Sequence, residues 1–378
     1  MATLNHPGAL RATGKVLPEY ARGHNRSLVL QMLYRNGGQS RADLARASAL
    51  TKVTVSDLVA EMLAEGLVVE TRQRTSNGPG KPAVELDIAR DRWHVVAIDL
   101  SDADVFEGAV LDLDGGVIDR VSVPRDGATG AQALETAFTL VDELRSRATA
   151  PVLGIGVGSP GVVDLDGVVL SAPNLDWVNV PIRAALAERT RLPVHVANDA
   201  NAASLAEHSF AGATHDLLLL RIGHGVGAAV LANGRLVHGR RFAAGEIGHV
   251  VVGNGPGPLC ACGRTGCLES WLAVPRLEAR LAEASGADAA DEVLRESGRR
   301  LGVALAPVVG TLGLTDVIVS GPAHLLDGVL LDAAREALRS RLLPDFFDGL
   351  ELRLTDQGPD IVLRGALVLV LAGVLGIS

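Results

Sequence analysis

Over the first ninety residues the apolar positions recur at helical spacing, whereas from about residue 93 they gather into short runs separated by glycine turns. Between Asn25 and Asn36, Leu28, Val29, Met32 and Leu33 fall at i, i+1, i+4 and i+5, one face of a helix that Gly37-Gly38 would stop. Ser40 is placed to cap a second, short helix through Asp43, Leu44 and Ala45. Thr51 is placed to cap a third that runs to Glu65 and is stopped by Gly66. This third helix turns Val55, Leu58, Val59, Met62 and Leu63 inward and leaves Lys52, Val53, Thr54, Ser56 and Asp57 outside or at the margin. A short helix, a tight turn and a helix led by small polar residues is helix-turn-helix geometry, in which the second member enters the major groove.

Leu67–Glu70 and Ala83–Leu86 read as two strands joined by a glycine-rich basic tip that carries Arg72, Arg74 and Lys81. Such a wing is placed to touch phosphates or a minor groove, while Lys52, Thr54 and Ser56 at the leading end of the third helix are placed to contact bases. Residues 1–24 have no apolar periodicity and are expected to form a mobile arm, so the DNA-binding head is assigned to residues 25–92. Charge agrees with a nucleic-acid partner at one end only. Residues 1–92 hold 13 Lys+Arg against 9 Asp+Glu, a net of +4, which leaves 22 against 35, a net of −13, for the rest of the 35 and 44 in the chain.

From Trp93 the runs Val95–Leu100 and Val105–Asp112 read as buried strands. The 378-residue length and 48% hydrophobic content fit a multi-domain protein with substantial cores. The longest uncharged apolar stretch, Gly365–Ser378, is short for a bilayer span and is expected to be a packed C-terminal helix. No basic-then-apolar leader is evident at the N-terminus, and no membrane partner is expected.

All three cysteines fall within Cys260-Ala-Cys262-Gly-Arg-Thr-Gly-Cys267, and His249 stands eleven positions ahead of the first. Three thiols and an imidazole complete a tetrahedral zinc shell. Four protein ligands leave no open position for water, so the zinc is expected to be structural. With the thiols used as ligands and none left to pair, a reducing, cytoplasmic setting is expected.

The same segment resembles a family signature. Gly245-Glu246-Ile247-Gly248-His249, followed by the cysteine cluster and Leu268-Glu269, is similar to that of the ROK family, which contains both sugar kinases and sugar-responsive repressors. Gly156–Asp164, Asn174–Trp177 and Asn198–Ala203 resemble its sugar-side loop, the next segment and its catalytic-aspartate segment, and the likeness extends over about 93–378. Ser40–Leu86, above all Leu50–Ser56, resembles the winged heads of the family's repressors. The implied fold is α/β: an N-terminal winged helix-turn-helix followed by a two-lobed actin-like ATPase (sugar-kinase-like) domain. Its lobes would be about 93–205 plus the C-terminal helix, and about 206–364. The implied sugar contacts are Ser159, Gly161, Asn174, Asn198, Asp199, Glu246, His249 and Glu269, with Asp199 standing where the kinases have their general base.

The nucleotide side departs from the family. Where the kinases continue the first strand into Asp-x-Gly-Gly-Thr, this chain has Asp99-Leu100-Ser101-Asp102-Ala103-Asp104. A carboxylate beside a polyphosphate costs on the order of 1 to 4 kcal/mol at 4 Å, and the close backbone approach that glycine permits is lost. The second phosphate loop is partly kept as Gly223-His224-Gly225-Val226-Gly227, and Ser320-Gly321-Pro322-Ala323 has proline where the family generally has glycine. A retained sugar side, a damaged ATP side and a DNA-binding head describe a sensor rather than an enzyme. The leading expectation is a repressor of carbohydrate metabolism, released from operator DNA by a sugar and working as a homodimer or homotetramer. A sugar kinase with a regulatory head is the alternative, and a ligand-independent DNA-binding scaffold worked by a protein partner is a third.

Overall fold

The computed structural model describes residues 18–73, 84–253 and 257–377. These divide into two compact units. One holds the described residues up to Arg92 together with the chain end from Leu371; the other is Trp93–Val370.

In the first unit, α1 (Pro18–Asn36) starts earlier than its apolar face predicts, so Pro18–His24, expected in the mobile arm, are helical. Ion pairs of Arg22 and Arg26 on α1 with Glu61 and Glu65 accompany the extension. Gly37, at φ +69°, closes the helix by donating its amide to the Leu33 carbonyl. Ser40 then caps α2 (Arg41–Ser48) with a full capping box: its hydroxyl accepts from the Asp43 amide, and the Asp43 carboxylate accepts from the Ser40 amide. Ala49 adopts φ +58° in the turn, and the Thr51 hydroxyl caps α3 (Lys52–Ala64) by accepting from the Thr54 amide at 3.1 Å. Val55, Leu58, Val59 and Met62 are buried as the spacing predicts, but Leu63 is only half-buried. β1 (Gln39–Ser40), β2 (Val68–Gln73) and β3 (Val84–Ile88) form an antiparallel sheet in the order β1-β3-β2, which is the wing. Arg74, Lys81 and the rest of the wing tip lie outside the described residues.

The last turns of the chain depart from the expected C-terminal helix. That helix, α13 (Ile361–Val370), ends in a π-helical turn, Leu371–Leu375, and the chain from Leu371 onward groups with the head. Gly376 runs so close to α1 that a Cβ there would stand 2.0 Å from the Ser27 hydroxyl.

The second unit has two lobes. β4 (His94–Asp99), β5 (Val105–Leu111), β6 (Val117–Pro124), β7 (Val152–Ser159) and β11 (Val194–Asn198) make a sheet ordered β11-β7-β4-β5-β6, with β11, β7 and β4 parallel. α4 (Gly130–Arg147) packs on this sheet, and a small antiparallel sheet of β8 (Val162–Val163), β9 (Val169–Ala172) and β10 (Trp177–Val180) follows β7; α5 (Ile182–Thr190) leads into β11. α13 packs on β7 and on α6 (Asp199–Phe210). Its approach requires glycines: a Cβ at Gly156 would meet the Ala366 carbonyl at 2.1 Å, and one at Gly365 would meet that of Ala202 at 1.8 Å. By length and composition Gly358–Leu375 could cross a membrane, but over half of it is buried in the fold, as in a core helix.

The other lobe is a sheet ordered β14-β13-β12-β15-β16, from β12 (Leu217–Ile222), β13 (Val226–Ala232), β14 (Arg235–Leu236), β15 (Asp316–Ser320) and β16 (Glu351–Leu354). Its apolar core is completed by α7 (Glu269–Leu272), α8 (Val274–Glu283), α9 (Ala287–Leu312), α10 (Ala323–Leu326) and α11 (Val329–Arg339), with α12 (Pro344–Phe347) before β16.

Candidate functional site

The ends of three parallel strands set the cleft. Asn198, ending β11, is in register with Ser159, ending β7, and Asp99, ending β4, is in register with Gly158. The Asn198 side chain does two jobs. Its Oδ1 caps α6 by accepting from the amides of Ala200 and Asn201 at 3.0 and 3.1 Å, while its Nδ2 donates to the Gly161 carbonyl and to Asp199 Oδ1 at 2.9 and 2.8 Å. Gly161, at φ +80°, passes the small sheet so closely that a Cβ would stand 2.0 Å from the Ser171 carbonyl. No other residue fits that loop. Ser159 is fully buried and its hydroxyl donates to the Pro160 carbonyl, so it braces the loop from inside. Asn174 is exposed, and its backbone carbonyl accepts from Arg125 at 3.1 Å.

Across the cleft, Glu246 and His249 lie on a one-turn 3₁₀ helix, Glu246–His249, entered through Gly245 at φ +99°. A Cβ on Gly245 would lie 1.9 Å from the Ala228 carbonyl, so the turn sits hard against β13. Burial pushes the Glu246 carboxyl above the usual carboxylate range; His249 opposes the rise, and Glu269 and Asp199 add to it. Glu269 Oε2 accepts from the Val226 amide at 3.1 Å, next to Gly225, where a Cβ would come within 2.8 Å of it. Glu269 and Asp199 are thus both near enough to Glu246 to act on its charge.

The side-chain donor atoms of His249, Cys260, Cys262 and Cys267 all lie within 4.8 Å of one another. Cys260 Sγ is 3.6 Å from His249 Nδ1, and Cys262 Sγ is 3.6 Å from Cys267 Sγ. Four ligands about 2.3 Å from a tetrahedral ion stand roughly 3.8 Å apart, so the donor set and its spacing suit a metal such as zinc. Burial pushes the Cys260 thiol up to about 12, whereas the Arg264 amide helps hold exposed Cys262 at about 7. His249 Nε2 lies on the other side of the ring, 4.0 Å from Glu246, so the imidazole links the cysteine cluster to the cleft carboxylates.

The three segments expected on the nucleotide side do converge. Asp99, Asp102, Gly223 and Ser320–Ala323 line one cavity of about 530 Å³, to which Glu107, Arg221 and β16 also contribute. Its lining carries three carboxylates, Asp99, Asp102 and Glu107, beside Arg221. Asp102 Oδ1 already accepts from the amides of Asp104 and Val105, at 2.8 and 3.1 Å, and Asp99 Oδ1 from the amide and hydroxyl of Ser101. Three N–H groups of this loop, those of Ser101, Asp104 and Val105, are thus spent on the chain's own carboxylates. Burial also raises Glu107, with Asp99 contributing.

Arg221 was not anticipated. It is the penultimate residue of β12 and reaches across the lobes, donating from Nη1 to Asp199 Oδ2 at 2.9 Å and from Nη2 to Asp99 Oδ2 at 3.2 Å. Burial pushes the Asp199 carboxyl above its ordinary value, and the Arg221 guanidinium opposes the rise. An arginine closing the otherwise apolar run Leu217–Ile222, just before a glycine turn, is the signal that could have found it.

On the head, Lys52 and Ser56 are exposed at the leading end of α3. Thr54 is half-buried, and its hydroxyl lies 2.9 Å from that of Thr51, so it is engaged in the cap. Arg72 projects from the wing, with its Nε paired to buried Glu85 at 2.6 Å.

A winged helix-turn-helix head and a two-lobed, sugar-kinase-like body define the class. The chain belongs to the ROK family, whose profile matches residues 95–372, and a MarR family profile matches the head over residues 24–76. A xylose repressor of Caldicellulosiruptor bescii is 29% identical, over 93% of this chain and 96% of its own length. A glucokinase of Halalkalibacterium halodurans is 31% identical but covers 71% of this chain and 92% of itself. Among solved structures, a ROK family transcriptional regulator, described as a homologue of the E. coli MLC protein, superposes with a TM-score of 0.83 at 24% identity, over 94% of this chain and 98% of its own. The repressor relative thus spans head and body.

Proposed function

We propose that this chain is a sugar-responsive transcriptional repressor that binds operator DNA through its head and leaves it when a sugar occupies the ROK cleft. The observation that carries this reading is the asymmetry of the cleft. One side presents Asn198, Asp199, Glu246 and Glu269, whose oxygens can accept from sugar hydroxyls, with Ser159, Gly161, Asn174 and His249 framing them. The other side has its loop amides capped by Asp102 and its cavity lined by carboxylates, which opposes ATP and sugar phosphorylation alike. His249, Cys260, Cys262 and Cys267 would hold a structural zinc that fixes the turn bearing Glu246. Lys52, Thr54 and Ser56 would enter the major groove, while Arg72, Arg74 and Lys81 would hold backbone or minor groove, in a dimer or tetramer. Sugar-driven lobe closure would change the spacing of paired heads, and operator DNA must weaken sugar binding by the factor with which sugar weakens DNA binding.

The test is calorimetry with D-xylose, D-glucose, N-acetylglucosamine and ATP, beside operator binding by anisotropy with and without the sugar that binds. Sugar binding that lowers operator affinity, with no ATP binding, is the expected result. Operator affinity unchanged at saturating sugar would remove the sensor mechanism, and sugar-dependent ATP turnover would favour a kinase with a regulatory head.

A further inference from the structure

Both oxygens of Asp199 are already engaged from within the protein. Oδ1 accepts from Asn198 Nδ2 at 2.8 Å, and Oδ2 accepts from Arg221 Nη1 at 2.9 Å. The second arm of the same guanidinium holds Asp99 Oδ2 at 3.2 Å. Asp99 ends β4 and Asp199 directly follows β11, the two strands that flank β7 in one lobe, and Arg221 comes from the other, its side chain only 23% exposed. Arg221 also lines the 530 Å³ cavity, so its guanidinium stands between that space and Asp199.

A general base must take up a proton, and a guanidinium bonded to its oxygen disfavours that uptake. The same contact leaves each carboxylate oxygen a second lone pair, so the ability to accept a hydroxyl hydrogen bond persists. We propose that Arg221 is the positioning residue of the sugar cleft: it holds Asp199 as a fixed acceptor and stops it from acting as a base, so that a sugar is bound there without being activated. This deepens, and rests on, the reading of the cleft as a sugar site. The other charged groups facing this pair are Asp102, which faces Arg221, and Glu246, with Glu269 and His249 beside it, which faces Asp199 from across the cleft.

The test uses the full chain with Arg221→Met and Arg221→Lys. Carboxyl-carbon NMR of aspartate-labelled protein, with the Asp199 signal assigned by its loss in Asp199→Asn, reads the protonation midpoint without any sugar. Arg221→Met should raise that midpoint by at least one pH unit and Arg221→Lys by less; an unchanged midpoint in either variant overturns the proposal. Should the methionine variant not fold, the lysine variant decides by the same criterion. Calorimetry with whichever of D-xylose, D-glucose and N-acetylglucosamine binds the wild type gives the second readout. The ratio of affinities at pH 8 and pH 6 should grow at least fivefold over wild type in Arg221→Met, and this growth should vanish when Asp199→Asn is added. A pH profile identical to wild type overturns the proposal, since a purely packing role would lower affinity equally at both pH values. If no sugar binds the wild type, the sugar reading of the cleft fails, and the carboxyl midpoint still decides whether Arg221 controls Asp199.

Discussion

The two sides of the body's cleft both use side chains to cap backbone amides, but an amide, Asn198, caps the helix start on one side and a carboxylate, Asp102, caps the loop on the other. On the Asp199 side, Gly161 and Gly245 let the loops pack hard against Ser171 and Ala228, while Asn198 caps α6 with its oxygen and holds Asp199 with its nitrogen. On the Asp102 side, the carboxylates have taken the loop amides for themselves. An anion site depends on unclaimed N–H groups, and here they are claimed by covalently tethered anions that no ligand can outcompete cheaply. If the proposed function holds, the contrast teaches that a few side chains at one strand end can separate sugar binding from nucleotide binding in a kinase-like cleft.

The largest expected effect falls on the support of the Asp199 side. Metal analysis of protein purified without added zinc should find about one equivalent per chain, and Cys262→Ala should remove it, with a fall of several kcal/mol in the stability of the body by thermal melting. A metal-free wild type that is fully folded would break the link between the cysteine cluster and the cleft. Gly161→Ala comes next: with 2.0 Å to the Ser171 carbonyl, the loop must move, and calorimetry should show sugar binding lost or nearly so. Asp199→Asn and Glu246→Gln are near-isosteric and should each weaken the best sugar by about 1–3 kcal/mol, roughly five- to 150-fold. On the opposite side, Asp102→Gly frees two amides yet leaves Asp99, Glu107 and Pro322 in place, so ATP should still give no heat. A measurable ATP affinity would mean that the two sides differ by one residue rather than by their whole lining. The smallest effect is in the head, where Thr51→Ala should cost about 1 kcal/mol of stability through loss of the α3 cap.

The head was the more legible region because its signals are local. Ser40 and Thr51 act on amides three residues away, and the buried face of α3 follows from one helical period. The start of α1 was less legible: Arg22, in the part expected as an arm, has its partner 39 residues away, and no spacing rule reaches that far. The cysteine cluster was legible for the opposite reason: three scarce side chains packed into eight positions leave few other readings.

By itself, then, the sequence determined the caps and stops of the head, the cluster of one histidine and three cysteines that could hold a metal, and the order of the cleft segments, since each rests on chemistry between near neighbours or on an unusual residue count. Only the tertiary structure decided that the chain from Leu371 belongs with the head, and that Arg221 pairs with Asp99 and Asp199 at separations of 122 and 22 residues. The physical reason is that a buried ion pair is set by where two lobes bring their strand ends together. An arginine at the end of an apolar strand announces that it needs a partner without saying which.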